Sequence, residues 1–153
     1  MRWKMAVLVA VLASVAVMPG TTGCEVVGGG DIIAHVTWVA EVYDAPDGQN
    51  LFPAVGAPCV IEACRMTGGK EVSSTLVRSS VPTDEAGTAR LTQHERISTE
   101  DVLSGTVAVA THLGGMSVKT ETVSHAMAEA FAGGKEDAYM QITIRAYRGY
   151  RED

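Results

Sequence analysis

The chain has 153 residues, 46% of them hydrophobic and 20% charged, with 12 Lys plus Arg against 18 Asp plus Glu. That length makes one domain, able to bury about two-thirds of the surface its unfolded chain exposes without disulfides or a metal as staples. A net charge of −6 excludes nucleic acid as a partner, because phosphates demand a basic stripe and this surface repels them.

Residues 1–23 read as an export signal. Arg2 and Lys4 give a positive start, Ala6 to Met18 is an apolar run of 13 residues, and Pro19-Gly20 breaks it before small residues. The run is too short for a hydrocarbon core that needs about 20 apolar residues. Its removal takes away two basic groups and no acidic ones, leaving 10 basic against 18 acidic groups and a net charge of −8. Cys24 follows Thr21-Thr22-Gly23 at the boundary. This stretch resembles a bacterial lipoprotein signal in the small Gly23 before the cysteine, and departs from one at Thr21, where an aliphatic residue is usual. Ordinary cleavage after the same residues would instead leave a free N-terminal cysteine. Three cysteines cannot all pair, and lipidation gives Cys24 a role. The expectation is an extracytoplasmic protein, anchored to a membrane in the periplasm or at the cell surface through Cys24, otherwise secreted. Residues 24–31 then serve as a flexible tether ahead of a domain over 32–153.

Ile32 to Tyr43 is rich in β-branched and aromatic residues and alternates from His35 onward. Val36, Trp38, Ala40 and Val42 share one face, with Thr37, Glu41 and Tyr43 on the other, which predicts a half-buried strand. Asp44 to Gln49 is turn chemistry, and an extended passage leads to a second strand, Cys59 to Met66. Thr67-Gly68-Gly69 turns the chain into a more polar strand, Glu71 to Ser80. Thr83 to Leu91 predicts a hairpin, with Gly87 able to take a positive φ. Ser98 with Asp101 three residues on predicts a helical turn ending near Gly105. Thr106 to Leu113 and Met116 to Val123 alternate as strands. Ser124 to Phe131 suits either a short helix or a continuing strand. Tyr139 to Tyr147 reads as a last strand. The pattern predicts an all-β, antiparallel Greek-key β-sandwich of about seven strands with one or two helical turns.

Three stretches carry a family resemblance: VYDAPDG over Val42 to Gly48, PAVGAPCVIEA over Pro53 to Ala63, and TDEAGTARL over Thr83 to Leu91. In these the chain resembles the transthyretin-like and bacterial immunoglobulin-like sandwiches, including the regulatory domains appended to some carboxypeptidases. The resemblance spans about residues 36 to 147 and implies a sandwich that binds or assembles without catalysis. Hydroxyisourate hydrolases belong to the same neighbourhood and end in Y-R-G-S, to which Tyr147-Arg148-Gly149-Tyr150 is similar. Their first-strand histidine falls at Glu41, their last-strand histidine region at Tyr139-Met140-Gln141, and their serine at Tyr150.

Cys59 and Cys64 invite a disulfide in an oxidising compartment. Along an extended strand, however, their Cα atoms stand roughly 16 Å apart on opposite faces, whereas bridged Cα atoms lie within about 7 Å. That geometry favours two unpaired thiols, with Cys59 inward beside Ile61 and Ala63 and Cys64 on the other side. His35, His94, His112 and His125 lie far apart with no pair at ligand spacing, so no metal or other cofactor is expected. Asp44, Asp47, Asp84 and Glu85 fall in two strand connections that a sandwich brings to one end. They form a candidate acidic loop site for a cation such as Ca²⁺, against the plainer role of acids in turns. No nucleotide loop or nucleophile elbow occurs in the sequence.

The functional expectation is a noncatalytic sandwich, lipid-anchored or secreted, that serves binding or envelope and surface assembly, with a protein or carbohydrate partner. The alternative is a small hydrolase of the same fold built on Tyr147-Arg148-Gly149 with His35 or His112, which requires these groups to converge.

Overall fold

The computed structural model describes residues 30–149. The signal segment, Cys24, most of the tether and Tyr150 lie outside them. The described chain runs β1 (Ile32–Asp44), β2 (Phe52–Pro53), β3 (Pro58–Thr67), β4 (Lys70–Pro82), β5 (Thr88–Ile97), β6 (Asp101–Ala110), β7 (Met116–Val123), α1 (His125–Ala132) and β8 (Asp137–Tyr147). In the first sheet β1 is central, pairing β2, β5 and β8; the second has the order β4-β3-β6-β7. The chain passes between sheets after β2, β4, β5 and β7, giving an all-β Greek-key sandwich.

The alternation of β1 sets the core. Ile32, Ala34, Val36, Trp38, Ala40 and Val42 turn inward and are buried, meeting Ile61, Leu103, Val107 and Val109 of the second sheet. Trp38 fixes the fit. Its Nε1–H donates to Gln93 Oε1 at 3.0 Å, and its ring lies where a side chain at residue 105 would stand, with Trp38 Cε3 only 2.3 Å from the site of a Cβ on Gly105. Gly105 therefore sits mid-strand in β6, opposite Ala63 of β3. The helical turn expected from Ser98 does not form. Asp101 is the capping group instead, its Oδ2 accepting from Ser98 N–H at 2.9 Å, and β6 starts there because Val102 and Leu103 pair with Met66 and Arg65.

Three further expectations are revised. Thr83 to Leu91 is a crossing between sheets rather than a hairpin, since β4 and β5 belong to different sheets. Thr83 Oγ1 donates to the Ala54 carbonyl and accepts from Ala57 N–H, and Gly87, at φ 71°, packs against the Val42 carbonyl, so the turn is pulled onto the end of β1. The sandwich is also not wholly antiparallel: β8 runs parallel to β1, from Ile33↔Asp137 to Tyr43↔Tyr147. A parallel neighbour needs a crossover longer than a tight turn, and α1 supplies it, burying Met127 and Ala130 on the way from β7. Finally, the extended passage after Gln49 contains a short strand, β2.

Candidate functional site

The outward-phase half of β1 carries Ile33, His35, Thr37, Val39, Glu41 and Tyr43, of which Val39 is buried. Pairing sets His94, Thr92 and Thr88 of β5 beside His35, Thr37 and Glu41. On the other flank β8 aligns Asp137 with Ile33, Tyr139 with His35, Gln141 with Thr37, Arg145 with Glu41 and Tyr147 with Tyr43. One sheet face thus presents two polar and aromatic stretches, separated by the buried Val39 and bordered by the exposed Ile33, over a sealed apolar interior.

Its first part is a chain of four side chains. His35 Nε2 lies 2.8 Å from Asp137 Oδ1, and His35 Nδ1 lies 2.7 Å from His94 Nδ1. A His35 that gives its Nε2–H to the carboxylate has Nδ1 left to accept from His94. The imidazole so fixed supports Tyr139, whose ring is stacked on it at a centroid distance of 4.3 Å and an interplanar angle of 5°. Tyr139 is nonetheless 77% exposed. Thr37, Thr92 and Gln141 continue the face as uncharged hydrogen-bonding groups.

The far part is held together by charge. Arg145 Nε donates to Glu41 Oε2 at 2.9 Å, and the Tyr43 hydroxyl donates to the same oxygen at 3.2 Å. Burial, then the Glu41 carboxylate, pushes the Tyr43 phenol above its ordinary value. At the end of β1, Arg148 grips Asp44 with Nε and Nη2 at 2.9 and 2.7 Å, and His112 Nε2 reaches Asp44 Oδ1 at 2.9 Å. The Arg148 bonds hold Asp44 below the usual carboxylate range, against its burial, with His112 adding to them. Backbone bonds reinforce the join, from Arg148 N–H to the Tyr43 carbonyl and from His112 N–H to the Arg148 carbonyl. Gly149 completes it, because a Cβ there would stand 2.5 Å from the Ala45 carbonyl oxygen. The Tyr147-Arg148-Gly149 stretch acts here as a latch that fastens the end of β8 to β1.

The residues singled out for a hydrolase are thus brought together only in part. His112 and Arg148 meet on Asp44, whereas His35 lies nine residues back along β1, roughly 30 Å away. The acidic residues share one end of the sandwich, but Asp44 is taken up by Arg148 and His112, and Asp47 and Asp84 are engaged within their own turns. Asp47 accepts from Gln49 N–H and Asn50 N–H at 3.0 and 2.8 Å, and Asp84 accepts from Ala86 N–H and Thr88 N–H, both at 2.9 Å, and from the Thr88 hydroxyl at 2.7 Å. These bonds lower both carboxyls, led by Asn50 N–H for Asp47 and the Thr88 hydroxyl for Asp84. Glu85 is exposed on the same turn. Among the described residues no group of three or more His, Cys, Asp or Glu side chains is placed to hold a metal ion.

Cys59 and Cys64 are both free and buried. Cys59 packs in the core, where desolvation pushes its thiol up to about 11. Cys64 sits at the irregularity where the β3–β4 register shifts between Ala63 and Arg65, and burial, then Glu71 and Glu62, raise its thiol as well.

The contact of His35 with His94 has no signature in local sequence beyond the outward phase of both residues on alternating strands, because their 59-residue separation is closed only by strand pairing. The chain matches no family model, no curated protein and no solved structure.

Proposed function

We propose that this chain is an exported, lipid-anchored, noncatalytic β-sandwich that binds its partner through the outer face of the first sheet and holds it close to an envelope surface. The observation that carries the binding role is Tyr139: a large ring kept in solvent, in one orientation, by an imidazole that is itself fixed from two sides. Exposed aromatic surface costs free energy, and a folded chain gains nothing in its core from holding it flat. The anchoring role rests on the positive start, the apolar run and the placement of Cys24. It is tested by the intact mass of the protein in the membrane fraction of its native host. A diacylglyceryl mass on a chain that begins at Cys24 supports the anchor, and a soluble, unmodified product beginning at or near Cys24 refutes it. The face is tested by retention on purified envelope fragments of a Cys24→Ala chain, which cannot carry the lipid anchor. Substituting Thr92→Arg and Gln141→Arg together should abolish retention, and equal retention overturns the assignment.

A hydrolase of the hydroxyisourate type draws support from His112 and Arg148 meeting on Asp44. Against it stand Glu41 and Tyr139-Met140-Gln141 at the family's histidine positions, and the separate place of His35. Turnover of hydroxyisourate by the full chain, lost in His112→Ala, would establish it.

A further inference from the structure

Beside Tyr139 the chain forms a cleft of about 320 Å³ between α1, the turn that follows it and the start of β8, lined by Glu129, Lys135, Asp137, Tyr139 and Met140 among others. From this geometry we infer that the cleft and the Tyr139 ring form a binding site for a neutral saccharide. The inference rests on the binding-module function proposed above and names its ligand class.

The chemistry of the lining selects the ligand. Tyr139 pairs with His35 across the β1–β8 register, so one face of its ring rests on the imidazole while its exposed remainder belongs to the rim of the cleft. A pyranose offers on one side a patch of C–H groups that packs flat on such a ring, and around its edge hydroxyls that both donate and accept. The cleft supplies both kinds of partner. Asp137 uses Oδ1 for His35 and, at 45% exposure, keeps a second carboxylate oxygen for a sugar hydroxyl, while Lys135 brings a donor. Two carboxylates against one ammonium make the lining net negative, which disfavours uronic acids and phosphorylated sugars. A protein partner would call for an apolar anchor within a wider apolar patch; here one aromatic plane stands among charged and hydroxyl groups, and the apolar lining is limited to Ala130, Ala138 and Met140. The cleft volume lies at the small end of ligand sites and suits one or two sugar units.

His35 is the positioning residue. Its two hydrogen bonds fix the plane on which Tyr139 lies, so the ring is oriented before a ligand arrives and little ordering cost remains for binding.

The test is isothermal titration of the full chain with maltose, cellobiose and N,N′-diacetylchitobiose, with glucuronic acid as the acidic control. At least one neutral sugar should bind, with affinity falling about tenfold or more in Tyr139→Ala, held in Tyr139→Trp, and weakened by a smaller factor in His35→Ala. Thermal melts of each variant separate lost binding from lost folding. Absence of binding by every neutral sugar, equal binding of glucuronic acid, or affinity unchanged in Tyr139→Ala each overturns the saccharide assignment. A photo-crosslinking residue at position 141, used in parallel on envelope fragments, separates the two levels. Crosslinks to protein without sugar binding overturn the ligand class and leave the binding face standing; neither signal overturns both.

Discussion

The two faces of β1 are made from alternate residues of one strand and answer to different demands. Inward, Trp38 meets Gln93 by one hydrogen bond and Gly105 by the space of a missing side chain, so shape decides what is allowed. Outward, His35 is held as firmly, by Asp137 and His94, but what it supports is a ring left in solvent. Rigidity is common to both faces; only the inner one converts it into stability. Substitutions on the two faces should therefore separate folding from binding.

The largest effect falls on the inner face. Gly105→Ala puts a methyl group into the Trp38 ring, and neither the ring, enclosed on all sides, nor the β6 backbone, paired on both edges, can retreat freely. The expected loss is about 3 kcal/mol, read as a lowered urea midpoint at unchanged slope. Trp38→Phe comes next, at about 2 kcal/mol, from lost volume and from the lost donor to Gln93. Gln93 Nε2 already has no partner, so the Phe variant leaves the whole buried amide unsatisfied. Adding Gln93→Met should recover part of the loss, and a double-mutant cycle measures how much.

The same comparison marks what the sequence made legible. Alternation is a local property, and it placed Val36, Trp38, Ala40 and Val42 inward, where all four are buried. Which strand lies next to which is not local. Gly105 signals a break when read alone, yet its meaning comes from Trp38, far back in the chain. Thr83 to Leu91 has the residues of a hairpin turn, and only the bonds of Thr83 to Ala54 and Ala57 carry it across to the other sheet. The candidate site was hidden for the same reason, being assembled from three strands whose order the sequence does not state. The turn acids show the opposite case. Asp47 and Asp84 bind amides two to four residues away, and such local chemistry could be read directly.

A smaller effect is expected at the latch, where β1 ends. Asp44→Asn keeps the shape and removes the charge that Arg148 grips, and Arg148 is mostly buried. The pair is partly screened, so the cost near neutral pH is about 1 kcal/mol. Its pH dependence follows from the direction of the Asp44 shift. A carboxyl lower in the folded state than its ordinary 3.8 adds stability that is complete above that value and is lost as the pH falls through the lower folded value. Below about pH 5 the gap between native and Asp44→Asn proteins should narrow as the Asp44 carboxylate is protonated. A gap that widens in acid would assign Asp44 the opposite role.

The smallest effect on folding belongs to the outer face, where the functional effect is the greatest. Tyr139 is 77% exposed and Gln141 is exposed beside Thr37, so Tyr139→Ala and Gln141→Arg should each shift stability by no more than about 0.5 kcal/mol. His35→Ala is the sharper variant, because it removes the support and leaves the ring. It should cost little more in stability than Tyr139→Ala, since Asp137 and His94 are exposed and water replaces their lost partner. If His35→Ala instead destabilised the fold as strongly as Trp38→Phe, the imidazole would be a structural member like the inner face, and the flat presentation of Tyr139 would be a by-product of packing. Melting curves of these outer variants beside Trp38→Phe decide between a face built to hold the sandwich and a face built to meet something else.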